Sequence, residues 1–427
     1  MSADEKFDAI VIGAGPAGAA CAYALSRQGK SVLMIERGST AGSKNVTGGR
    51  IYSYALEMLE PGLTKRAPLE RHVIREQIML LGANSAVTLD YTDYAFGGEI
   101  PQSYTVLRAP FDEWLAAEAE AQGTLLATGI LVEGLLEEDG KIVGVKAGED
   151  DMYADVVIAA DGVNSLIAQQ AGLFGDISAG RVGVGVKEII ELPHELIEAR
   201  FNLRGDEGAA RVGIGCTDGI AGGSFLYTNQ ESISLGIVFN PEQAGRSGRS
   251  IHEIFQDFKL HPAILPLIEG GKTVEYGAHL VPEAGLSGVP QKLYREGLIV
   301  VGDAAGFCMN TGTMIRGIDL AIVSGLAAAH AVLKAAGPAQ SGQLYMQELQ
   351  NLLLLPTMKV YENFHHILAI PRMVKEYPVL ANDIFKLLFA VNGKLPEKMP
   401  KAMMNIVKQH ISFRQLLADG WKMFKAV

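Results

Sequence analysis

Residues 13–18 read Gly-Ala-Gly-Pro-Ala-Gly, a complete G-x-G-x-x-G, and their surroundings leave few folds open. An apolar β-type run at 7–12 leads into the motif, a helical segment at 19–28 leaves it, and a second β-type run follows at 31–35. The chain therefore opens as a βαβ unit, with Gly13, Ala14, Gly15, Pro16, Ala17 and Gly18 on its strand-to-helix turn. Glycines there permit a tight turn, close approach of bare backbone to a pyrophosphate, and helix–strand packing, while the helix N-terminus adds amide donors and a favourable dipole. Glu36 ends the second strand, where a carboxylate accepts hydrogen bonds from a ribose diol. FAD and NAD share this fingerprint, so the unit predicts a dinucleotide without choosing between them.

Composition agrees and narrows the field. Glycine supplies 49 of 427 residues, about 11% against a usual ~7%, as expected where backbone turns sharply or approaches a ligand. With 37 basic and 48 acidic residues the net charge of -11 repels a phosphate backbone, which argues against nucleic acid as a partner. Cys21, Cys216 and Cys308 are too few and too scattered for a disulfide framework or a Cys-rich metal site, so a reducing compartment and no metal are expected. The N-terminus lacks the basic start and small-residue cleavage site of a signal peptide, and no run of ~18–20 apolar residues occurs, so the expectation is a cytoplasmic protein that can still lie on a membrane surface.

From 66 to 104 the pattern shifts to short β-branched and aromatic runs, read as antiparallel strands, and β-type runs return at 182–190, 209–216, 224–227 and 233–238. Asp139-Gly140 marks a hairpin turn between them. A short strand at 298–301 precedes a long helical segment at about 315–336, and the rest is helical between prolines. Residues 394–427 hold seven Lys or Arg against two Asp or Glu, opposite in sign to the chain as a whole, with Trp421, Met423 and Phe424 among them; a solvated helix, a membrane anchor and a subunit-docking surface all suit that tail.

Two later motifs bear on the cofactor. Ala160-Asp161-Gly162 closes a buried strand, and Gly302-Asp303-Ala304-Ala305-Gly306 follows another. An Asp there can meet a ribityl hydroxyl or a phosphate-side water, and small neighbours let backbone amides approach. Gly183-Val184-Gly185 and Gly213-Ile214-Gly215 lack the third glycine and the strand-to-helix setting, so no second dinucleotide site is expected, and no C-x-x-C redox pair occurs. Cys308 reads as a small buried residue, and His365-His366 as surface or packing residues without a third ligand. Phe225 to Tyr227 read as core strand first and as pocket wall second.

The order of the three motifs resembles the FAD-dependent family of aromatic hydroxylases, geranylgeranyl reductases and electron-transfer-flavoprotein:quinone oxidoreductases. Gly222-Gly223-Ser224-Phe225-Leu226-Tyr227, His261-Pro262, Glu269-Gly270-Gly271-Lys272 and Glu275-Tyr276-Gly277-Ala278-His279 are similar to the quinone oxidoreductases. Lys44-Asn45-Val46-Thr47-Gly48-Gly49-Arg50 and residues 302–317 are more similar to their bacterial FixC-type subgroup, and the likeness spans nearly the whole chain. It implies an α/β protein with an α+β insert. A Rossmann-type FAD-binding domain (1–65, 106–180, 275–336) is interwoven with an antiparallel-sheet quinone or substrate domain (66–105, 181–274), and 337–427 form a helical region for membrane or subunit contact.

The resemblance further implies one noncovalent FAD. Its pyrophosphate would lie on Gly13 to Gly18, its ribose on Glu36 beside Arg37, and its adenine near Val132. Lys44, Asn45, Gly48 and Gly49 would line the isoalloxazine; Arg108, Asp161, Gly162, Gly302 and Asp303 would meet the rest of the cofactor. Gly312, Thr313 and Met314, at the start of the long helix, would aim amides at the flavin O2/N1 edge, and Arg316 would either add charge there or pair with a neighbouring acid. The activity implied is electron transfer from an electron-transfer flavoprotein (alpha and beta subunits) towards quinone, with no catalytic side chain required. Quinone oxidoreductases of one chain carry a four-cysteine iron–sulfur region; no cysteine follows Cys308 here, so a separate ferredoxin-like iron–sulfur subunit is expected, as in a FixABCX-like complex. Any bifurcation would sit in the partner flavoprotein. Competing readings are a stand-alone FAD hydroxylase or geranylgeranyl-type reductase, and a non-catalytic FAD-binding assembly subunit.

Overall fold

The computed structural model describes residues 6–43, 48–175 and 180–426. Its first sheet is built on the strand Lys6–Ile12, which lies parallel to Val32–Glu36 on one side and to Asp150–Ala159 on the other. Leu125–Thr128 and Leu298–Val300 extend the parallel array outward. These strands are nearly continuous apolar runs because helices cover the sheet: Ala9, Ile10, Val11 and Val157 are fully buried. The hairpin Gly134–Glu138 and Lys141–Ala147 hangs from Asp150–Ala159, and its Asp139-Gly140 turn has the positive φ values of a two-residue loop, 49° and 79°.

The second sheet has nine strands and is mostly antiparallel. On Val182–Glu191, Val186 and Ile190 enter a core shared with helices His194–Phe201 and Ile251–Lys259, while Gly185 and Lys187 face the other way, towards the first sheet. One pairing departs from the antiparallel expectation: Glu207–Ile214 runs parallel to His72–Leu81. The two are far apart in sequence, so the long crossover that a parallel pair requires is available. Sheet membership also runs past the domain limits expected from sequence. Gly48–Tyr52 pairs with Ser103–Leu107, and Lys272–Pro282 with Val182–Glu191, all within the second sheet. Period-two patterning tells a strand from a helix but not which sheet the strand joins.

The long helical segment is shorter than its sequence pattern. The helix is Ile318–Lys334, and the preceding residues form a small hairpin of Met309–Asn310 with Ile315–Arg316. The C-terminal helices dock onto the second sheet through Asn382, which donates to the Leu80 carbonyl at 2.9 Å. They are closed on one another by Arg372, whose guanidinium donates to both oxygens of buried Asp419 at 2.6 and 2.7 Å. Among the described residues no helix is long and apolar enough to cross a membrane.

The long helix packs closely on the first helix. A Cβ on Gly325 of the long helix would run into the carbonyl oxygen of Ala17 in the helix Pro16–Ser26. Neither backbone can give way without disturbing the glycine turn, so Gly325→Ala is expected to destabilise the protein by about 1–3 kcal/mol. A urea titration checks this as a lowered midpoint with unchanged slope.

Candidate functional site

A cleft of about 590 Å³ opens between the sheets. On its first side the glycine turn divides its tasks. Gly13 takes φ of 100°, and a side chain there would strike the Ala160 carbonyl. A Cβ on Gly18 would strike the Gly13 carbonyl, so this glycine sets helix–strand packing. Gly15 is different: a Cβ would meet nothing within 4 Å and would project into the cleft. Ala14 is buried, and its amide donates to Glu36 Oε2 at 3.0 Å, while Gly38 N donates to Glu36 Oε1 at 2.6 Å. The carboxylate thus ties the turn to the second strand and still has lone pairs facing the cleft, next to exposed Arg37.

Asp161 accepts from Ile167 N at 3.0 Å through Oδ2, and its Oδ1 is buried with no partner. Burial raises its carboxyl above the usual range, as it does for Asp303, where the Arg108 charge opposes the rise. Gly162, Gly302, Pro16, Ala17 and Val132 complete this side. Arg108 also reaches the cleft, but its guanidinium grips Asp112 at 3.0 and 2.9 Å, which orients it and offsets its charge.

Gly48 and Gly49 lie at the cleft, whereas Lys44 and Asn45 fall outside the described residues. Gly312, Thr313 and Met314 do not line it. They occupy the hairpin turn before the long helix, where Gly312 N donates to Asn310 Oδ1 at 2.8 Å and Met314 N to Thr311 Oγ1 at 3.1 Å, so these amides are taken locally. The residues that bring the long helix's N-terminus to the cleft are Gly317 and Ile318. Arg316 pairs with Asp319 at 2.6 Å and with the Tyr54 hydroxyl at 2.8 Å. Cys308 is buried at the cleft wall, and desolvation pushes its thiol well up, away from thiolate chemistry.

The second sheet supplies the opposite wall, where sequence reasoning had placed Gly48 and Gly49 beside the cofactor and read Phe225 to Tyr227 as core first and pocket wall second. These rings stack, centroids 5.3 Å apart, and are both core and cleft wall. Around them stand Arg50, Lys187, His279 and Glu283. Arg50 is fixed by Glu76 at 2.5 and 3.1 Å and by Ser103. Burial, then the Arg108 charge, lowers the Lys187 amine to about 8; burial, then Lys187, lowers His279 to about 4. The signal available in the sequence was the alternation Gly183-x-Gly185-x-Lys187, which puts two glycines and a lysine on one strand face. Among the described residues no cluster of His, Cys, Asp or Glu is arranged to hold a metal ion.

Comparison with known proteins matches residues 6–191 to the FAD binding domain family, 182–281 to the ubiquinone-binding domain of ETF-QO, the electron-transfer-flavoprotein:quinone oxidoreductase, and 364–427 to the ETF-QO/FixC family C-terminal domain. Protein FixC of Salmonella typhi is 45% identical over 423 residues, 98% of each chain. The chain belongs to the ETF-QO/FixC family. A probable electron transfer flavoprotein-quinone oxidoreductase of Escherichia coli (strain K12) is likewise 45% identical, over 426 residues and 98% of each chain. A geranylgeranyl bacteriochlorophyll reductase-like protein from Thermoplasma acidophilum shares the fold, with a TM-score of 0.70 at 19% identity over 99% of this chain and all of that one. As an ETF-QO/FixC protein the chain is an FAD-dependent oxidoreductase. The cleft fits FAD on its own geometry: bare backbone at Gly15, an orphaned buried oxygen on Asp161, and an apolar wall at Val132.

Two outcomes follow from this geometry. Gly15 has extended backbone and open space, so Gly15→Leu is expected to leave apoprotein stability unchanged while weakening FAD retention ~10-fold or more, read from the flavin absorbance kept after gel filtration. Lys187 titrates near 8 folded against 10.5 normally. Between those values the unfolded chain binds more protons, so apoprotein stability rises with pH across that window and the gain is lost as pH falls through 8. Lys187→Met is expected to flatten that rise, seen as a smaller change of Tm between the two limits.

Proposed function

We propose that this protein takes electrons from an electron-transfer flavoprotein and passes them to quinone, in a FixABCX-like complex that includes a separate ferredoxin-like iron–sulfur subunit. The observation that carries this reading is that the dinucleotide cradle and the strands matched to ubiquinone binding open on one shared cleft. FAD, when bound, supplies the electron-transfer chemistry itself. The protein's groups hold and orient: Gly13 to Gly18 and Glu36 form the nucleotide side, and the stacked Phe225 and Tyr227 offer a flat apolar wall for a quinone ring. Arg37, Arg108 and Lys187 concentrate positive charge in a chain whose net charge is -11, which suits phosphate and reduced, electron-rich rings.

The three cysteines, of which Cys21 and Cys308 are buried, do not form a four-thiolate site, in keeping with an iron–sulfur centre on another subunit. Any bifurcation belongs to the partner flavoprotein in this reading. The C-terminal region, basic from residue 394 onward and with Phe389, Leu395, Trp421 and Phe424 exposed, gives the complex its peripheral contact with the inner face of the cell membrane, where quinone is dissolved.

Anaerobic rapid mixing tests the relay. FAD-loaded protein is mixed with reduced electron-transfer flavoprotein from the same source, with and without a short-chain quinone. Bleaching of this protein's flavin followed by quinone-dependent recovery is the expected result. Flavin that stays oxidised with the protein donor, yet is reduced by NAD(P)H once an aromatic or isoprenoid compound is added, would overturn it in favour of a stand-alone hydroxylase or reductase.

A further inference from the structure

The sheet wall of the cleft carries an amine without a partner among the described residues. Lys187 lies directly opposite Gly236 on one neighbouring strand and Gly277 on the other. The Phe225 ring leans over Gly236 in the same row, and one register step along, His279 faces Gly185. Directly opposed residues of antiparallel strands share a face, so the amine rises in a gap between an aromatic ring and an imidazole. Its Nζ makes no hydrogen bond or ion pair among the described residues. Glu188, next on the strand, faces the opposite side and is answered by Lys259 at 2.6 Å. A partly desolvated ammonium without a partner is costly, and the cleft that Lys187 lines is where a ligand atom can reach it.

We propose that Lys187 donates a hydrogen bond to a carbonyl oxygen of the quinone headgroup seated in this gap and protonates that oxygen as the headgroup is reduced. The proposal rests on the quinone-reducing reading above and deepens it. Reduction to the quinol takes two electrons and two protons. The electrons are those the oxidoreductase delivers; an O–H bond forms at the carbonyl oxygen as an Nζ–H bond breaks, leaving a neutral amine. Solvent protonates the second quinone oxygen and restores the ammonium.

The surroundings favour that donor. Arg108, anchored to Asp112, faces the amine from the start of its helix, and His279 faces it from the adjoining strand. Arg37 is a further cation near His279, Tyr227 lies on the same sheet face, and Asp303 and Glu283 line the cleft with raised carboxyls. Burial and these cations bring the amine to about 8, near enough to neutrality for general acid chemistry.

The holoprotein decides the matter by two readouts. Lysines of the wild-type protein are reductively methylated with and without a short-chain ubiquinone, and modification is mapped by mass spectrometry; Lys187 is expected to lose ~10-fold or more of its labelling when quinone is present, as a contacted amine does. In rapid mixing, Lys187→Met is expected to be reoxidised by quinone ~100-fold more slowly, a loss far larger than any change in its rate of reduction by electron-transfer flavoprotein. Lys187→Arg is expected to recover quinone affinity and not rate, because guanidinium donates a hydrogen bond but keeps its proton. Unprotected Lys187 in a wild-type protein that reduces quinone, or a Met variant of full speed and unchanged pH profile, overturns the assignment of Lys187 alone. A wild-type flavin that no quinone reoxidises overturns the quinone reading with it.

Discussion

Everything at this cleft depends on bringing bare backbone up to a ligand at the first turn of the helix Pro16–Ser26. Phosphate oxygens are held by amides only where no side chain intervenes, and here Gly15 leaves that space open. The turn is rigid because its neighbours press on it from the protein side. Gly18 packs on the Gly13 carbonyl, Gly325 on the Ala17 carbonyl, and a Cβ at Gly302 would lie 2.8 Å from that of Ala17. Three segments distant in sequence therefore converge on one helical turn. The long helix, the strand end at 301 and the first βαβ unit are positioned by the same contacts that shape the cradle. Stability of the fold and affinity for the cofactor are linked at Ala17, but they separate at Gly15, whose missing side chain concerns the ligand alone.

The second constraint is electrostatic. The cleft gathers Arg37, Arg108, Lys187 and His279, and the acids that line it with them, Asp161, Asp303 and Glu283, are pushed towards their neutral forms by burial. Arg108 and Arg50 are each held there by a carboxylate, Asp112 and Glu76. Burial first, and then the neighbouring positive charges, depress Lys187 and His279 in the protein by itself. An environment already polarised before the ligand arrives does not have to reorganise when negative charge develops, which is how a site stabilises a reduced ring.

How much of this was legible in the sequence follows from how local each feature is. The turn at Gly13 to Gly18, with Glu36 behind it, is a contiguous signature whose context lies within the same βαβ unit, so fold and cofactor class could be read directly. Gly312 to Met314 look like a helix start for a similar reason, being a short polar stretch before an apolar helix. Thr311 and Asn310 instead capture the amides of Met314 and Gly312 in a hairpin turn, and the helix begins only after Gly317. Lys187 and His279 were beyond reach because their proximity is a matter of register: Lys187 opposes Gly277 and Gly185 opposes His279, pairings no spacing in the sequence announces. The parallel neighbours Glu207–Ile214 and His72–Leu81 were hidden in the same way.

The N-terminus of the long helix shows how the structure keeps its positive end turned to the cleft. Asp319 sits buried in the first turn, where a carboxylate would ordinarily cancel the favourable dipole. Its charge is instead answered from the side by Arg316 at 2.6 Å and by the Tyr54 hydroxyl at 3.0 Å. Arg316 in turn lies over the rings of Tyr52 and Tyr54, 5.3 and 5.6 Å from their centroids, and Arg50 approaches Tyr52 to 4.9 Å. Two guanidiniums and two tyrosines thus form a closed brace behind Gly317 and Ile318. With Asp319 Oδ2 engaged inside that brace, the helix's positive end, at Gly317 and Ile318, is left facing the cleft. Its direction there is fixed by the aromatic and ionic contacts of that brace.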